Sequence, residues 1–267
     1  MGFERGKHGC LMQTEDAYLQ VRPAQTERDI LSAQRLRYRV FVEELGGDGP
    51  LVDHDARLER DRFDAHCEHL LLIDTRRDAE AMDDVIGVYR LMTQQSAHAA
   101  GSFYSEAEYD LAALHGSGRK LLELGRSCLH PDYRGGTGML QLWQGLAEYV
   151  QQTDVEVLFG VASFHGTDVA SLAGPLSLLH HRYLAPEPLR VRARNMQSMD
   201  LVAEADLDRI SALRETPALI KAYLRLGGCV GEGAFVDHAF NTTDVCLVMD
   251  TDRLSAAHRA IYTRRGG

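Results

Sequence analysis

The stretch that says most about the fold is residues 121–138, LLELGRSCLHPDYRGGTG, in which an apolar run with two charged side chains leads into a glycine-rich turn. The apolar run predicts a buried strand over Leu121–Leu129 that contains Glu123 and Arg126. The proline and glycines that follow end this strand, and the periodic pattern that resumes at Met139 predicts a helix. Exposed N–H groups at a helix start suit a phosphopantetheine or pyrophosphate arm. The stretch therefore predicts a reaction site beside a cradle for an acyl thioester.

The glycine-rich turn supplies the candidate contacts for the acyl donor. These are Arg134, Gly136 and Gly138, together with Ser163 at the end of a later predicted strand. Any junction between a strand and a helix can use glycines for backbone reasons alone, so the turn by itself is weak evidence of function.

Composition limits the classes of function. The chain has 267 residues, and its 29 lysines and arginines against 39 aspartates and glutamates give a formal net charge of −10, which argues against a nucleic-acid partner. The sequence shows neither a membrane span nor a signal peptide, so we expect a cytoplasmic protein with at most peripheral contact at the inner membrane face. The scattered cysteines predict no disulfide framework, and we expect no metal. They are Cys10, Cys67, Cys128, Cys229 and Cys246.

Periodicity predicts one domain over residues 17–252 between a mobile N-terminal tail, 1–16, and a C-terminal tail, 253–267. A capping box at Thr26 begins the first helix, and a late helix starts at Pro217 with Thr216 as its cap. The fold class is α/β, with a mixed sheet and a crossover helix over residues 139–151. The predicted strands are 18–21, 69–74, 85–91, 121–129, 155–163 and 245–249.

Four short segments have the order and spacing that resemble the acyl-homoserine-lactone synthases. They are RYRVF (37–41), DRFD (61–64), GVYRL (87–91) and ELGR (123–126). Three later segments resemble the bacterial L-ornithine Nα-acyltransferases, and they are the most specific part of the match. They are FGVASFHGTD (159–168), PALIKAYLRLGG (217–228) and FVDHAFNTTD (235–244).

The resemblance covers roughly residues 17–250 and implies a GNAT-like N-acyltransferase fold with a C-terminal extension. It implies transfer of a 3-hydroxyacyl group from acyl carrier protein to the α-amine of L-ornithine. The phosphopantetheine thioester would be a co-substrate, and no separate cofactor is expected. A lactone synthase is the alternative of the same class, but the tryptophan expected after Phe41 is replaced by Gly46–Gly49, which puts an adenosyl pocket in doubt. A non-catalytic sensor of acyl thioesters is the alternative of another class.

The charged residues of the first segments suggest a site for a zwitterionic amino acid. Arginine would bind its carboxylate and aspartate its side-chain ammonium, with an aromatic residue lining the pocket. The alternative is a structural ion-pair network that fixes the first helix on the sheet. The candidate substrate-binding residues are Arg37, Phe41, Asp61, Asp64 and Arg90.

Aminolysis of a thioester needs a proton acceptor near the amine and a donor near the forming oxyanion. Glu123 is the candidate base, with Arg126 as its catalytic neighbour. Burial in an apolar strand would raise the pKa of Glu123, and Arg126 would lower it again. The thioester is reactive enough that no cysteine nucleophile is required.

An acidic carrier protein would need a local basic surface on this acidic chain. The candidate docking residues are Arg190, Arg192 and Arg194, which alternate in a segment predicted to be extended and would project from one face. The alternative is a solvated edge whose charges prevent pairing with other sheets.

Overall fold

The computed structural model describes residues 18–253, which form ten strands and seven α-helices. The strands are β1 (Leu19–Pro23), β2 (Glu68–Asp74), β3 (Val85–Thr93), β4 (Tyr109–Asp110), β5 (Leu121–Leu129), β6 (Val157–His165), β7 (Arg192–Ala193), β8 (Cys229–Val230), β9 (Phe235–Asp237) and β10 (Thr242–Asp250). The helices are α1 (Glu27–Arg37), α2 (Gln94–Ala100), α3 (Ala112–Gly116), α4 (Gly138–Thr153), α5 (Ala173–Tyr183), α6 (Arg209–Glu215) and α7 (Ala218–Arg225).

Eight strands form one mixed sheet in the order β1-β2-β3-β5-β6-β10-β8, with β9 also paired to β10. All of these pairs are antiparallel except β5 with β6, which are joined by the crossover helix α4. The apolar strands pack beneath α4 through residues such as Leu72 and Leu142, both fully buried. The predicted α/β class, with its mixed sheet, is therefore confirmed.

β5 and β6 separate partway along their length. They pair over only three residues each, Leu121–Glu123 with Val157–Phe159. Gly160 is the next residue of β6, and a Cβ there would lie 2.1 Å from the carbonyl oxygen of Leu124. The lack of a side chain at this position lets the two backbones approach just before they diverge. The divergence opens the sheet at its centre.

The first helix starts as predicted, because the side chain of Thr26 accepts a hydrogen bond from Asp29 and the backbone of Thr26 donates to Asp29 in return. It continues beyond Arg37 as a π-helix over Tyr38–Glu44 and ends before Gly46, which has φ +73°. π-Helical turns are rare and often found at functional sites.

Several short elements differ from the prediction. α7 begins at Ala218, and Thr216 is not its cap: the Thr216 hydroxyl donates to the carbonyl of Ala212 at 2.8 Å and so closes α6. The helices α2, α3 and α6, and the strands β4, β7, β8 and β9, were not predicted. The predicted tails lie outside the described residues apart from Arg253, and Cys10 lies outside with them. No helix among residues 18–253 is long and apolar enough to cross a membrane.

Candidate active site

A cavity of about 280 Å³ lies where β5 and β6 separate. Residues from the π-helix, the sheet and α7 form an apolar part of its wall. Charged residues from β5, β9 and β10 form another part. The lining includes Phe41, Leu45, Tyr89, Tyr104, Leu124, Arg126, Ser163, Leu219, Tyr223, Asp237, Phe240, Asp244 and Leu247. An apolar chain and a charged group could therefore both be bound in it.

Arg126 reaches the cavity from a bulge in β5. The register between β3 and β5 shifts there, and Arg126 has φ +50°, a left-handed conformation that is strained for a residue with a side chain. Its guanidinium donates to Glu59 at 3.1 Å and to Asp61 at 2.9 Å, and it stacks 4.7 Å from the ring centre of Tyr104. The bulge therefore brings a cation to the wall of the cavity.

Arg126 is part of a buried ion-pair network, which we define as Arg37, Arg90, Arg126, Glu59, Asp61 and Asp64. Arg37 bonds to Glu59 and donates to Asp64 at 2.8 Å. Arg90 donates to Asp61 at 2.6 Å and to Asp64 at 2.9 Å. Burial raises the pKa of Asp64, but Arg37 and Arg90 outweigh it and hold that pKa well below its usual value. The three arginines and three carboxylates balance in formal charge.

The network bears on the predicted substrate contacts. Arg37 is the last residue of α1, is 0% exposed, and bonds through its side chain to Glu59 and Asp64. Arg37, Asp61, Asp64 and Arg90 are not among the residues that line the cavity, whereas Phe41 is. Their contact with a substrate stays a prediction, and the ion pairs that they form are those of the structural alternative, in which the network fixes α1 on the sheet. Glu59 completes the network and was missed, since it is an isolated glutamate in a loop without periodic pattern.

Glu123 is 3% exposed, and its two carboxylate oxygens are occupied by a neighbouring turn. The backbone N–H of Tyr104 donates to one oxygen at 2.8 Å, and that of Ser105 donates to the other at 2.6 Å, as does the Ser105 hydroxyl. Burial raises the pKa of Glu123, while these bonds and then Arg90 lower it in part. Glu123 does not line the cavity, but the turn that it holds carries Tyr104, which does. This geometry favours a positioning role over direct proton abstraction.

We expect Glu123→Gln to reduce turnover to below about a tenth of the wild-type rate, because a glutamine side chain cannot accept hydrogen bonds at both of its terminal atoms. The pH dependence of kcat separates the two roles. Loss of a base removes the acidic limb of the profile, whereas loss of positioning lowers the rate and keeps the limb. A variant that retains more than about a tenth of the rate would contradict both roles.

Three carboxylates converge beside the cavity, and we call Glu108, Asp237 and Asp244 the carboxylate cluster. One oxygen of each lies within 4.8 Å of the other two. Burial and then Asp244 and Asp237 raise the pKa of Glu108 to about 8. Burial, followed by a smaller effect of Asp237, raises that of Asp244 to about 6, against hydrogen bonds that lower it. No role was predicted for these residues, although two of them lie in the segment 235–244 that resembles the family.

The carboxylate cluster predicts a pH-dependent stability. A carboxyl whose pKa is raised by folding stabilises the protein below its unfolded pKa, and this contribution is lost as pH rises through the folded value. The free energy of unfolding should therefore fall by several kcal/mol from about pH 5 to pH 9, and Glu108→Gln should flatten the fall. The groups that act on Glu108 are Asp244, Asp237, Arg126 and Glu123. Urea unfolding at both pH values is the measurement, with Asp206→Asn, an exposed charge loss, as the control.

The predicted acyl-donor residues lie in two places. α4 begins at Gly138, one residue before the prediction, and Gly138 packs on Leu72 and Leu129. Arg134 forms an ion pair with Glu44 and donates to the Leu129 carbonyl at 3.1 Å. Gly136 lies in the turn between them, and of the four predicted residues only Ser163 lines the cavity. Contact of Arg134, Gly136 and Gly138 with the donor stays a prediction.

The three predicted docking arginines are engaged with neighbouring groups. Arg190 pairs with Glu187 at 2.7 Å and Arg192 with Glu187 at 3.1 Å. Arg192 also donates to Glu232 at 2.9 Å, and Arg194 donates to the carbonyl of Glu106 at 2.7 Å. Only Arg192 of the three lies in a strand, β7. The basic surface is therefore partly neutralised by its own glutamates.

The chain has the fold of known N-acyl transfer enzymes. Its structure is similar to FeeM, an N-acyl amino acid synthase from uncultured soil microbes, with a TM-score of 0.52 and 11% identity over 90% of this chain and 97% of the other. It is also similar to BjaI, a CoA-dependent acyl-homoserine lactone synthase, with a TM-score of 0.52 and 14% identity over 91% and 89%. At such identities the likeness shows the fold alone.

Sequence comparison is more specific. The acetyltransferase (GNAT) domain family matches residues 36–144. The L-ornithine N(alpha)-acyltransferase of Rhodobacter capsulatus is 61% identical over 92% of this chain and 95% of the relative. The enzyme of the same name from Brucella abortus is 41% identical over 91% and 88%. The chain therefore belongs to the family of L-ornithine N(alpha)-acyltransferases.

Proposed function

We propose that this protein transfers a 3-hydroxyacyl group from acyl carrier protein to the α-amine of L-ornithine and so makes lyso-ornithine lipid, the first step of ornithine lipid biosynthesis. The family supports the acyltransferase reaction and the amine substrate. The observation that carries the proposal in the structure is the cavity between β5 and β6, which combines an apolar wall with carboxylates.

The cavity offers a different surface to each substrate. Leu124, Leu219 and Leu247 belong to its apolar wall, which suits an acyl chain. Beside them, the hydroxyl of Tyr89 accepts a hydrogen bond from Trp143 at 3.0 Å and lies 3.0 Å from that of Tyr223. These hydroxyls are polar groups within an apolar wall and could form hydrogen bonds with the 3-hydroxyl of the donor.

The reaction exchanges a C–S bond for a C–N bond. The neutral α-amine attacks the thioester carbonyl carbon, the C–N bond forms, and the C–S bond breaks. The phosphopantetheine leaves as a thiolate, and the proton that the amine gives up converts it to the thiol, so one N–H bond breaks and one S–H bond forms. Arg126 places a positive charge at the cavity wall, where it would stabilise the oxyanion, and Tyr104 stacks on it within the turn held by Glu123. Phe41 would contact the substrates, while Arg37, Asp61, Asp64 and Arg90 would support Arg126 through the network.

A comparison of two amine substrates, each offered separately, tests the proposal. Purified protein is mixed with 3-hydroxyacyl carrier protein and either ornithine or S-adenosylmethionine, and thiol release and acylated product are measured. We expect acyl-ornithine and thiol with ornithine alone. A lactone formed from S-adenosylmethionine would indicate the synthase alternative, and binding of the thioester without thiol release would indicate the non-catalytic sensor. The product carries an acyl chain, so peripheral contact at the inner membrane face is part of the proposal.

The carrier protein is the proposed form of the donor, with Arg190, Arg192 and Arg194 as its docking residues. Replacing all three with glutamine should lower the preference for acyl carrier protein over a small pantetheine thioester severalfold, since only the carrier presents an acidic surface. Added salt should reduce the wild-type preference in the same direction.

Glu187 and Glu232 provide the matched control for this prediction, because they pair with Arg190 and Arg192. Replacing these two glutamates with glutamine frees the arginines and should increase the preference for the carrier. An unchanged preference in both sets of variants would place the docking surface elsewhere.

A further inference from the structure

The carboxylate cluster is assembled from three separate parts of the chain. Glu108 precedes β4, Asp237 ends β9, and Asp244 lies in β10. Asp237 and Asp244 line the cavity, and one oxygen of each of the three carboxylates lies within 4.8 Å of the others. The fold therefore concentrates three carboxyl groups at one part of the cavity wall.

Two of these carboxylates have oxygens without a hydrogen-bond partner among residues 18–253. They are Oε2 of Glu108 and Oδ1 of Asp244, and the two residues are only 5% and 4% exposed. An unsatisfied buried acceptor is costly and needs explaining. Donors supplied by a bound ligand would satisfy both oxygens.

The cluster also differs from the ion-pair network in its charge balance. Glu59, Asp61 and Asp64 each form an ion pair with arginine in the network. The cluster has no ion pair of its own within the described part of the chain, and Arg126, the cation that acts on Glu108, is already bonded to Glu59 and Asp61. Unlike the carboxylates of the network, those of the cluster therefore have no bonded cation among residues 18–253.

We propose that Glu108, Asp237 and Asp244 bind the terminal ammonium of the amino-acid substrate and so select for a cationic side chain. This inference rests on the proposed function. An ammonium carries three N–H donors, which match three converging acceptors. Asp244 pairs with Ser163, three residues along β6 from Gly160, which is about 10 Å of strand. The cluster therefore lies at a distance from the point where β5 and β6 diverge. This separation allows the side-chain amine of the substrate to bind at the cluster while its α-amine lies at that point.

The cluster would then determine which amines are acylated. Norvaline has the carbon chain of ornithine without the terminal amine, so its binding leaves the buried carboxylates unpaired. A site built around polar contacts rejects an analogue that lacks the polar group, by factors that can reach about 10⁴. We expect the wild-type enzyme to prefer ornithine over norvaline by at least about 10²-fold in kcat/KM.

Asp244→Asn and Glu108→Gln test the inference. Each should lower the preference for ornithine over norvaline at least about tenfold, whereas Asp206→Asn, an exposed charge loss, should keep it. Calorimetric binding of each amine to the donor-free protein gives a second readout. Because Glu108→Gln and Asp244→Asn remove acids from a crowded acidic cluster, circular dichroism should show folded variants.

The possible outcomes separate the inference from the proposed function. If the wild type acylates neither amine, the proposed function fails. If it acylates ornithine but both variants slow ornithine and norvaline equally, the cluster acts in the chemical step and the inference is wrong. Loss of ornithine turnover with EDTA, restored by a divalent cation, would also overturn it, because the bound cation would then be a metal. A preference that falls selectively in the variants and is insensitive to EDTA supports it.

Discussion

Gly160→Ala is expected to lower kcat/KM by about 10²-fold or more and to destabilise the fold by about 3 kcal/mol. The added methyl group would lie 2.1 Å from the carbonyl oxygen of Leu124 and 3.1 Å from its carbonyl carbon. These are backbone atoms of β5 and cannot rotate away as a flexible side chain would. β6 must therefore shift from β5, and the cavity walls shift with it.

Backbone conformation at Gly160 adds to this cost. Its φ is +159°, which residues with a side chain rarely adopt, so alanine is disfavoured there by strain as well as by the steric clash. Thermal unfolding and steady-state kinetics measure the two effects. Gly116→Ala is the matched control, since a Cβ at Gly116 meets nothing within 4 Å and that position should tolerate the change. A Gly160→Ala protein with wild-type melting temperature and activity would show that β5 and β6 need not be so close.

The long elements of this fold are visible in the sequence because their apolar patterns are continuous. β5 was predicted over its observed range, Leu121–Leu129, and the predicted strand at 85–91 lies within β3. These strands are buried along almost their whole length, so their hydrophobicity does not depend on distant parts of the chain. β8 and β9, of two and three residues, form by pairing with β10 and leave no local pattern.

The candidate site was predicted unevenly for a similar reason. Arg90 and Glu123 were expected to be buried with partners, because they interrupt apolar strands, and both are buried with bonded partners. The partners of Arg90 are Asp61 and Asp64, which belong to the charged set that the sequence singles out. The partner of Glu123 could not be predicted, since Ser105 comes from a turn that reaches the sheet only through the tertiary fold. The carboxylate cluster was missed because Glu108 is far in the chain from Asp237 and Asp244, and each of the three is unremarkable alone.

Positive φ at Arg126 has no signature in sequence either. The residue lies within an apolar strand pattern, and the pattern predicts regular extended backbone. Its bulge depends on the register between β3 and β5, which shifts between Val88 and Arg90. Register is a property of two strands together, so one strand's sequence cannot specify it.

Arg37→Met is expected to destabilise the protein by about 3–5 kcal/mol at neutral pH. Arg37 is fully buried, and its removal leaves Glu59 and Asp64 charged in an environment with little water. The remaining arginines of the network are already shared among its carboxylates. A loss of this size is a large part of the stability of a typical domain.

The effect of Arg37→Met should depend on pH in a defined direction. The pKa of Asp64 is lowered in the folded protein, so its ion pairs stabilise the protein above its unfolded pKa, and this contribution is lost as pH falls through the folded value. Without Arg37 the carboxyls of Glu59 and Asp64 become easier to protonate. The difference in unfolding free energy between the two proteins should therefore be largest near pH 7 and shrink toward pH 4.

Urea unfolding at pH 7 and pH 4 measures this difference, and Arg60→Met is the matched control. Arg60 pairs with Asp53 at 3.0 Å on the surface, where an ion pair contributes less than about 1 kcal/mol. Glu59→Gln in the Arg37→Met background should recover part of the lost stability, because it removes one of the unpaired charges. If Arg37→Met costs no more than Arg60→Met, or its cost is the same at both pH values, the network does not hold α1 on the sheet. Arg37 would then be available for the ligand contact that its sequence segment first suggested.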